Sequence, residues 1–314
     1  MSTAGTFGAV RPLSRGLAVR RPRYGEMAIK ATLAACAFLS VGTTIGIVIS
    51  LLEPTIEFFA DVSVVEFFTS TEWSPLFADP KFGVLPLVTA TLVITGIALA
   101  VAIPIGLLSA IYLSEYARPR VRNFLKPTLE LLAGIPTVVY GFFALTFVTP
   151  LLQDLWLFGE PPGIYNAASA GLVMGIMIVP TIASLSEDAM SAVPRSLREG
   201  SFALGGTRLT TSLRVVFPAA ISGIVAAIVL GFSRAVGETM IVLIASGLQP
   251  NLSFDPAEAM QTMTSFIAAA GQGDQPTGST GYKTIFAVGT ALFVVTFAVN
   301  LVSIRLVRRY RQAY

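Results

Sequence analysis

Histidine is missing altogether from this chain, cysteine occurs once, and charged residues make up only 12% of it. Each shortage excludes something. Without histidine the chain lacks the commonest protein metal ligand and the one side chain that ordinarily titrates near neutral pH. The single cysteine, Cys36, rules out an intrachain disulfide framework; set in an apolar run, it reads as a small packing residue. A soluble chain would carry about a quarter charged residues. The low charge, with 54% hydrophobic residues over 314, therefore points to an integral membrane protein. No G-x-x-x-x-G-K-[ST] loop occurs, so this chain does not hold ATP through that motif.

What is abundant is long apolar runs. Six are long enough to cross a bilayer as helices, which takes about 20 residues: about 31–52, 82–114, 131–153, 165–186, 215–247 and 284–304. Helices are expected because lipid cannot satisfy open backbone groups; the short alternating strands of a membrane barrel are not found. With six spans, 18 of the 21 basic residues fall on one side: before the first span, between spans 2 and 3, between 4 and 5, and after 6. Only Lys81 and Lys283 fall on the other, and Arg234 lies within span 5. By the positive-inside rule both termini are cytoplasmic. The expected organisation is a cytoplasmic arm over residues 1–26, its arginines near lipid headgroups, and a membrane domain over 27–314. The first span lacks an A-x-A-like cleavage site and reads as retained. The external segment 52–80, acidic and aromatic with Trp73, suits a stretch lying in the membrane interface. A second external segment contains a possible short helix over 256–270, then a Gly-rich loop.

The loop over 193–214, between spans 4 and 5, has an amphipathic middle with Leu197, Phe202 and Leu204 as apolar positions, and Gly205-Gly206 ends it. Such a helix must cover its apolar side with the membrane or with a partner's groove. Glu199-Gly200-Ser201, then Gly205, then Val215-Val216-Phe217-Pro218 match, in register, the Glu-Ala-Ala…Gly…Ile-x-Leu-Pro loop of bacterial ABC-importer permeases. Gly200 and Ser201 replace the alanines, and Val215 and Phe217 replace Ile and Leu. The blocks EYARPR (115–120), LLAGIPTVVYGFFAL (131–145), IMIVPTIASLSEDAM (176–190), VPRSLREGSFALGGTR (193–208) and GFSRAVGETM (231–240) closely resemble the PstC-type permeases of the bacterial phosphate ABC importer, over about residues 27–310.

The resemblance implies an all-α, MetI-like type I importer fold of six spans in the bacterial inner membrane, and a transport subunit rather than an enzyme. It implies a PstA-type second permease, a dimer of PstB-type ATPases carrying the ATP and magnesium, and an external PstS-type phosphate-binding protein. This chain is expected to bind no cofactor or metal itself, and its remaining contacts are membrane lipid and phosphate, with no nucleic acid. In that family the loop forms a coupling helix on the ATPase, here Glu199, Gly200, Ser201, Phe202, Ala203, Leu204 and Gly205.

Arg234 and Glu238 stand out because charge at membrane depth is costly, on the order of 2.5–3.5 kcal/mol each on insertion scales. Four residues apart, they would share one helix face. The pair reads as self-neutralising, as an arginine reaching the outer interface, or as a phosphate contact. In the last reading the guanidinium offers bidentate donors at any working pH, and Glu238 holds it when no anion is present. The resemblance favours the phosphate path, with Ser233, Thr137 and Tyr140 as further candidates. Thr89, Thr91, Thr181 and Ser184 are weaker ones. The electrostatics alone would equally admit sulfate or molybdate, and a proton-coupled secondary transporter would use Glu238 as its proton carrier.

Overall fold

The computed structural model describes residues 24–77, 79–157, 159–273 and 275–310, with side chains through 305. The expected cytoplasmic arm lies, up to residue 23, outside the described residues. The chain divides into two compact units, residues 1–50 and 51–314. In the first, helix α1 (Tyr24–Asp61) begins at Tyr24, so the arm's expected last three residues are already helical. Nothing in 24–50 breaks a helix, and the segment is apolar on all sides.

In the second unit α1 ends at Asp61 and a short α2 (Val64–Thr69) follows. Two long helices then form the centre: α3 (Leu85–Ile111), prolonged by a π turn to Tyr116, and α7 (Ala167–Ser191). They meet along their length because small residues let the backbones close up. A Cβ on Gly171 would lie 2.7 Å from the Ile97 side chain, and one on Gly175 would lie 2.8 Å from the Ala98 carbonyl oxygen. Ala90, Ile94, Ala98 and Ala102 of α3 and Val173, Met174, Met177 and Ile178 of α7 form the main buried core.

Between these helices run α4 (Pro119–Ala133), then α5 (Thr137–Phe143), a π turn, and α6 (Thr149–Leu155). The π turn directly precedes Pro150, whose ring and missing N–H do not fit a tight α ladder. After α7 come α8 (Arg195–Ala203), α9 (Arg208–Thr211), a second proline-linked π turn and α10 (Phe217–Ala219). Then follow α11 (Ile221–Val236), α12 (Met240–Ala245), α13 (Met263–Gly271) and α14 (Thr280–Tyr310).

The fifth span is not the single helix expected over 215–247. Arg208–Ala219 and Ile221–Val236 are bent 72° apart, and α11 stops at Val236 before α12 starts. Among the described residues five helices are long and apolar enough to cross a membrane, or six if the bent pair counts as one span.

Part of the external aromatic segment is packed into the protein. Trp73 is only 4% exposed and meets Phe266 edge-on at 4.9 Å. Phe67 meets Trp73 edge-on at 6.2 Å, and Phe58 meets Phe67 and Phe82 edge-on at 5.7 and 5.4 Å. Such pairs each add about 0.5–1.5 kcal/mol beyond area burial. These rings form a second core that joins 58–84 to α13 and α14. The helix expected over 256–270 starts seven residues later, at Met263. There Thr262 and Ser265 form a reciprocal capping box, and the chain before them supplies carbonyls to α7, from Pro256 to Ala168 N–H and from Glu258 to Ala167 N–H.

Candidate functional site

Arg234 lies in the last turn of α11 and is half-buried. Its Nη1 donates to Thr181 Oγ1 at 3.2 Å. Thr181 is the fifteenth of the 25 residues of α7, about 15 Å along the axis from that helix's cytoplasmic end at Ser191. Measured along α11, Arg234 is about 20 Å from the bend at Ala220. Gly231, one turn earlier, packs closely on α7: a Cβ there would sit 3.1 Å from Ile178 and Ile182.

Glu238 does not face the same way. The helix ends between the two charges, with Gly237 as its C-cap, so the i, i+4 geometry expected from the sequence does not form. The Glu238 carboxylate turns the other way. Its Oε1 accepts from Met240 N–H at 3.0 Å and from Ile241 N–H at 3.2 Å, capping α12. Four such N–H groups open every helix without intrahelical partners, and this buried carboxylate satisfies two of them. The break is also held from outside: Thr264 Oγ1 donates to the Glu238 carbonyl at 2.6 Å, and Met263 N–H donates to Thr91 Oγ1 at 3.1 Å. Among the described residues no carboxylate forms an ion pair with Arg234.

The other candidates separate into two groups. Tyr140 packs against the buried core that includes Ala235, the residue after Arg234, and its hydroxyl donates to the Leu132 carbonyl at 3.1 Å. Thr137 is one turn earlier on the same side of α5. Ser233 points elsewhere and donates to Asn300 Oδ1 of α14 at 3.2 Å. The structure thus gathers Arg234, Thr181 and Tyr140, and sets Glu238 and Ser233 to other work.

On the cytoplasmic side α8 carries the candidate coupling residues. Glu199, Gly200, Phe202, Ala203, Leu204 and Gly205 are exposed and Ser201 is half-buried, its hydroxyl 2.8 Å from Thr211 Oγ1. Leu204 is 92% exposed, an apolar side chain left uncovered by the described residues. Gly205 has φ +80°, a left-handed value, and ends the helix there. Next to this region the sequence reading missed a charge cluster. Glu187 is fully buried. Its Oε2 accepts from Lys126 Nζ at 2.7 Å, and its Oε1 accepts from Arg122 and, at 2.7 Å, from Ser191 Oγ. Lys126 also donates to Asp188. Burial pulls the Lys126 pKa down, but the hydrogen bonds it donates to Asp188 and Glu187, with their negative charge, outweigh it and raise the group above the ordinary lysine value. Its partners lie about 60 residues along the chain, beyond the reach of any local pattern.

Residues 102–313 match the family described as binding-protein-dependent transport system inner membrane component. This chain is one of those permeases. It is 38% identical over 266 residues to the probable ABC transporter permease protein YqgH of Bacillus subtilis, with 84% of each chain covered. It is 37% identical to the phosphate transport system permease protein PstC 1 of Mycobacterium tuberculosis, with 78% of this chain and 82% of that one covered. The PstC of Xylella fastidiosa is 34% identical, covering 76% and 77%. Among solved structures, a bacterial alginate ABC transporter in complex with its pentasaccharide-bound periplasmic protein superposes with TM-score 0.62 at 17% identity, over 92% of this permease and 98% of that chain. The inward-facing MetNI methionine transporter gives 0.52 at 19%, over 73% and 95%. These likenesses give the MetI-like importer fold. The permease is a multi-pass inner-membrane transport component, not an enzyme.

Proposed function

We propose that this permease is one half of the transmembrane path of an ATP-driven phosphate importer, and that Arg234 is its phosphate contact. One observation carries the reading: a half-buried guanidinium within the apolar fifth span, held by a threonine and left without a carboxylate partner among the described residues. A permanently cationic group in low dielectric gains strongly from an anion that supplies its counter-charge. Phosphate, stripped of water, needs donors in return, and a guanidinium offers them in a planar fork. Thr181 steers Arg234, while Tyr140 and Thr137 line the approach. Release stays possible because a single arginine from this half does not enclose the anion.

The name of the PstC relatives supports phosphate over other oxyanions. The exposed helix α8 supports docking on a cytoplasmic ATPase dimer that carries ATP and magnesium. A second permease of the same family would complete the path, and an external binding protein would supply it. Glu238, spent on capping α12, is not set up as a proton carrier, which argues against a secondary transporter.

The test is labelled-anion uptake into vesicles containing the assembled complex. ATP-dependent phosphate uptake that survives collapse of the proton gradient and is not competed by sulfate or molybdate is the expected result. Uptake of sulfate instead, or uptake driven by the gradient without ATP, would overturn the proposal.

A further inference from the structure

We infer that Glu115 and Arg198 form a latch that fixes the ATPase-docking helix α8 to the two central spans, and so are positioning residues for transport; this rests on the docking role proposed above. Arg198 is turned inward on α8, next to the exposed Glu199. Its Nε donates to Glu115 Oε1 and Oε2 at 3.2 and 3.4 Å, and its Nη2 donates to Oε1 at 2.9 Å. The same guanidinium donates to the Val193 carbonyl at 2.6 Å and to the Met190 carbonyl at 2.8 Å. One side chain therefore joins three elements: α8, the π turn that ends the second span, and the cytoplasmic end of α7. Both partners are largely covered, with 17% and 9% of the side chains exposed. Lysine cannot reproduce this fork, because it lacks the planar set of five donors.

The latch has a mechanical continuation. Met190, which it grips, and Thr181, which holds Arg234, lie on the same helix, about 13 Å apart along its axis. The spans are close-packed at glycines: Gly106 of α3 is against Ile182 at 2.8 Å, and Gly223 of α11 is against Ala189 at 2.4 Å, both measured to an added Cβ. A displacement of α8 by the ATPase is thereby imposed on α7 as a rod, and through Thr181 on the Arg234 side chain. Spatial continuity alone does not show energetic coupling, so the test reads coupling itself.

The complete transporter, with its second permease, ATPase and external binding protein, is reconstituted in liposomes. It carries the native chain, Glu115→Gln, Arg198→Lys, or Glu115→Gln with Arg198→Lys. ATP hydrolysis and phosphate uptake are measured on the same preparations. The native complex tests the functional reading: if it hydrolyses ATP without moving phosphate, that reading fails. The latch is tested by phosphate moved per ATP in the variants relative to native. The expected result is that Glu115→Gln assembles, keeps basal ATP hydrolysis and loses about tenfold in phosphate per ATP, within the usual span of coupling free energies. The double variant is expected to be no worse than the single ones, because the two residues act as one unit. If Arg198→Lys does not assemble, Glu115→Gln alone decides. An unchanged ratio in assembled Glu115→Gln, or losses that multiply in the double variant, overturns the latch.

Discussion

Replacing Glu187 by glutamine keeps the volume of the side chain and removes its charge, which makes it a clean probe of the cytoplasmic cluster. Three donors converge on this carboxylate, from Arg122, Lys126 and Ser191. Glutamine turns one of the two acceptor oxygens into an NH2 donor, so one cation faces a donor whichever way the amide is placed. Breaking a fully buried ion pair costs about 3–5 kcal/mol. Here the carboxylate is fully buried, but Arg122 and Lys126 are 38% and 25% exposed and can turn to water, and Asp188 still engages Lys126. The expected loss is therefore about 2 kcal/mol. In a chain of 314 residues that lowers the apparent melting temperature by roughly 3 °C. Thermal inactivation of the detergent-purified protein measures it, with Asp188→Asn, on a mostly exposed group, as the control expected to shift by about 1 °C or less. A Glu187→Gln protein that melts with the native one would refute the reasoning, since the buried carboxylate would then be contributing nothing.

Further predictions follow from neighbouring features. Because the Lys126 pKa is raised, its extra stabilisation is fully present below the ordinary lysine value of about 10.4 and is lost as pH rises through the raised value. The melting difference between native and Lys126→Met should stay constant from about pH 7 to 9 and shrink only above about 10.4, as followed by a pH series of thermal scans. Gly175→Ala should destabilise by about 1–3 kcal/mol, because the new methyl meets the Ala98 carbonyl, which is backbone and cannot move aside. Gly96→Ala, with nothing within 4 Å of the added methyl, should be neutral or gain about 0.5–1 kcal/mol in the same assay. Glu238→Ala should cost about 1 kcal/mol as a lost cap and leave Arg234 in place; a loss of stability no greater than that of Thr239→Ala would contradict the capping role.

Much of the architecture was legible from charge and hydropathy alone. The apolar run expected over about 165–186 forms one unbroken helix, α7 (Ala167–Ser191). Gly205-Gly206 marked the end of the short cytoplasmic helix, and Gly205 takes the left-handed turn that only glycine adopts cheaply. The fifth span shows where such reading stops. Hydropathy treats 215–247 as one run, whereas Pro218 and the bend at Ala220 reorient its start, and Gly237 with Glu238 divides its end. A residue spacing of four implies a shared face only when the helix is continuous between the two residues, and here a carboxylate found better partners in the next helix's open N–H groups. Trp73 and the surrounding phenylalanines looked interfacial because composition records what a residue is, and their burial depends on Phe266, almost two hundred residues away. Glu187, Glu115 and Thr264 were invisible as site residues for the same reason.

The central claim is that Arg234 meets the transported anion, and uptake by a single substituted protein tests it most directly. Labelled phosphate uptake would be measured in cells lacking their own high-affinity importer and expressing this permease with its partners, either native or as Arg234→Gln. Co-purification with the ATPase would establish assembly in both. The account predicts an assembled Arg234→Gln complex whose phosphate uptake is lost. Normal uptake by that complex would contradict it, and would make the Arg234 guanidinium a feature of packing rather than of the path.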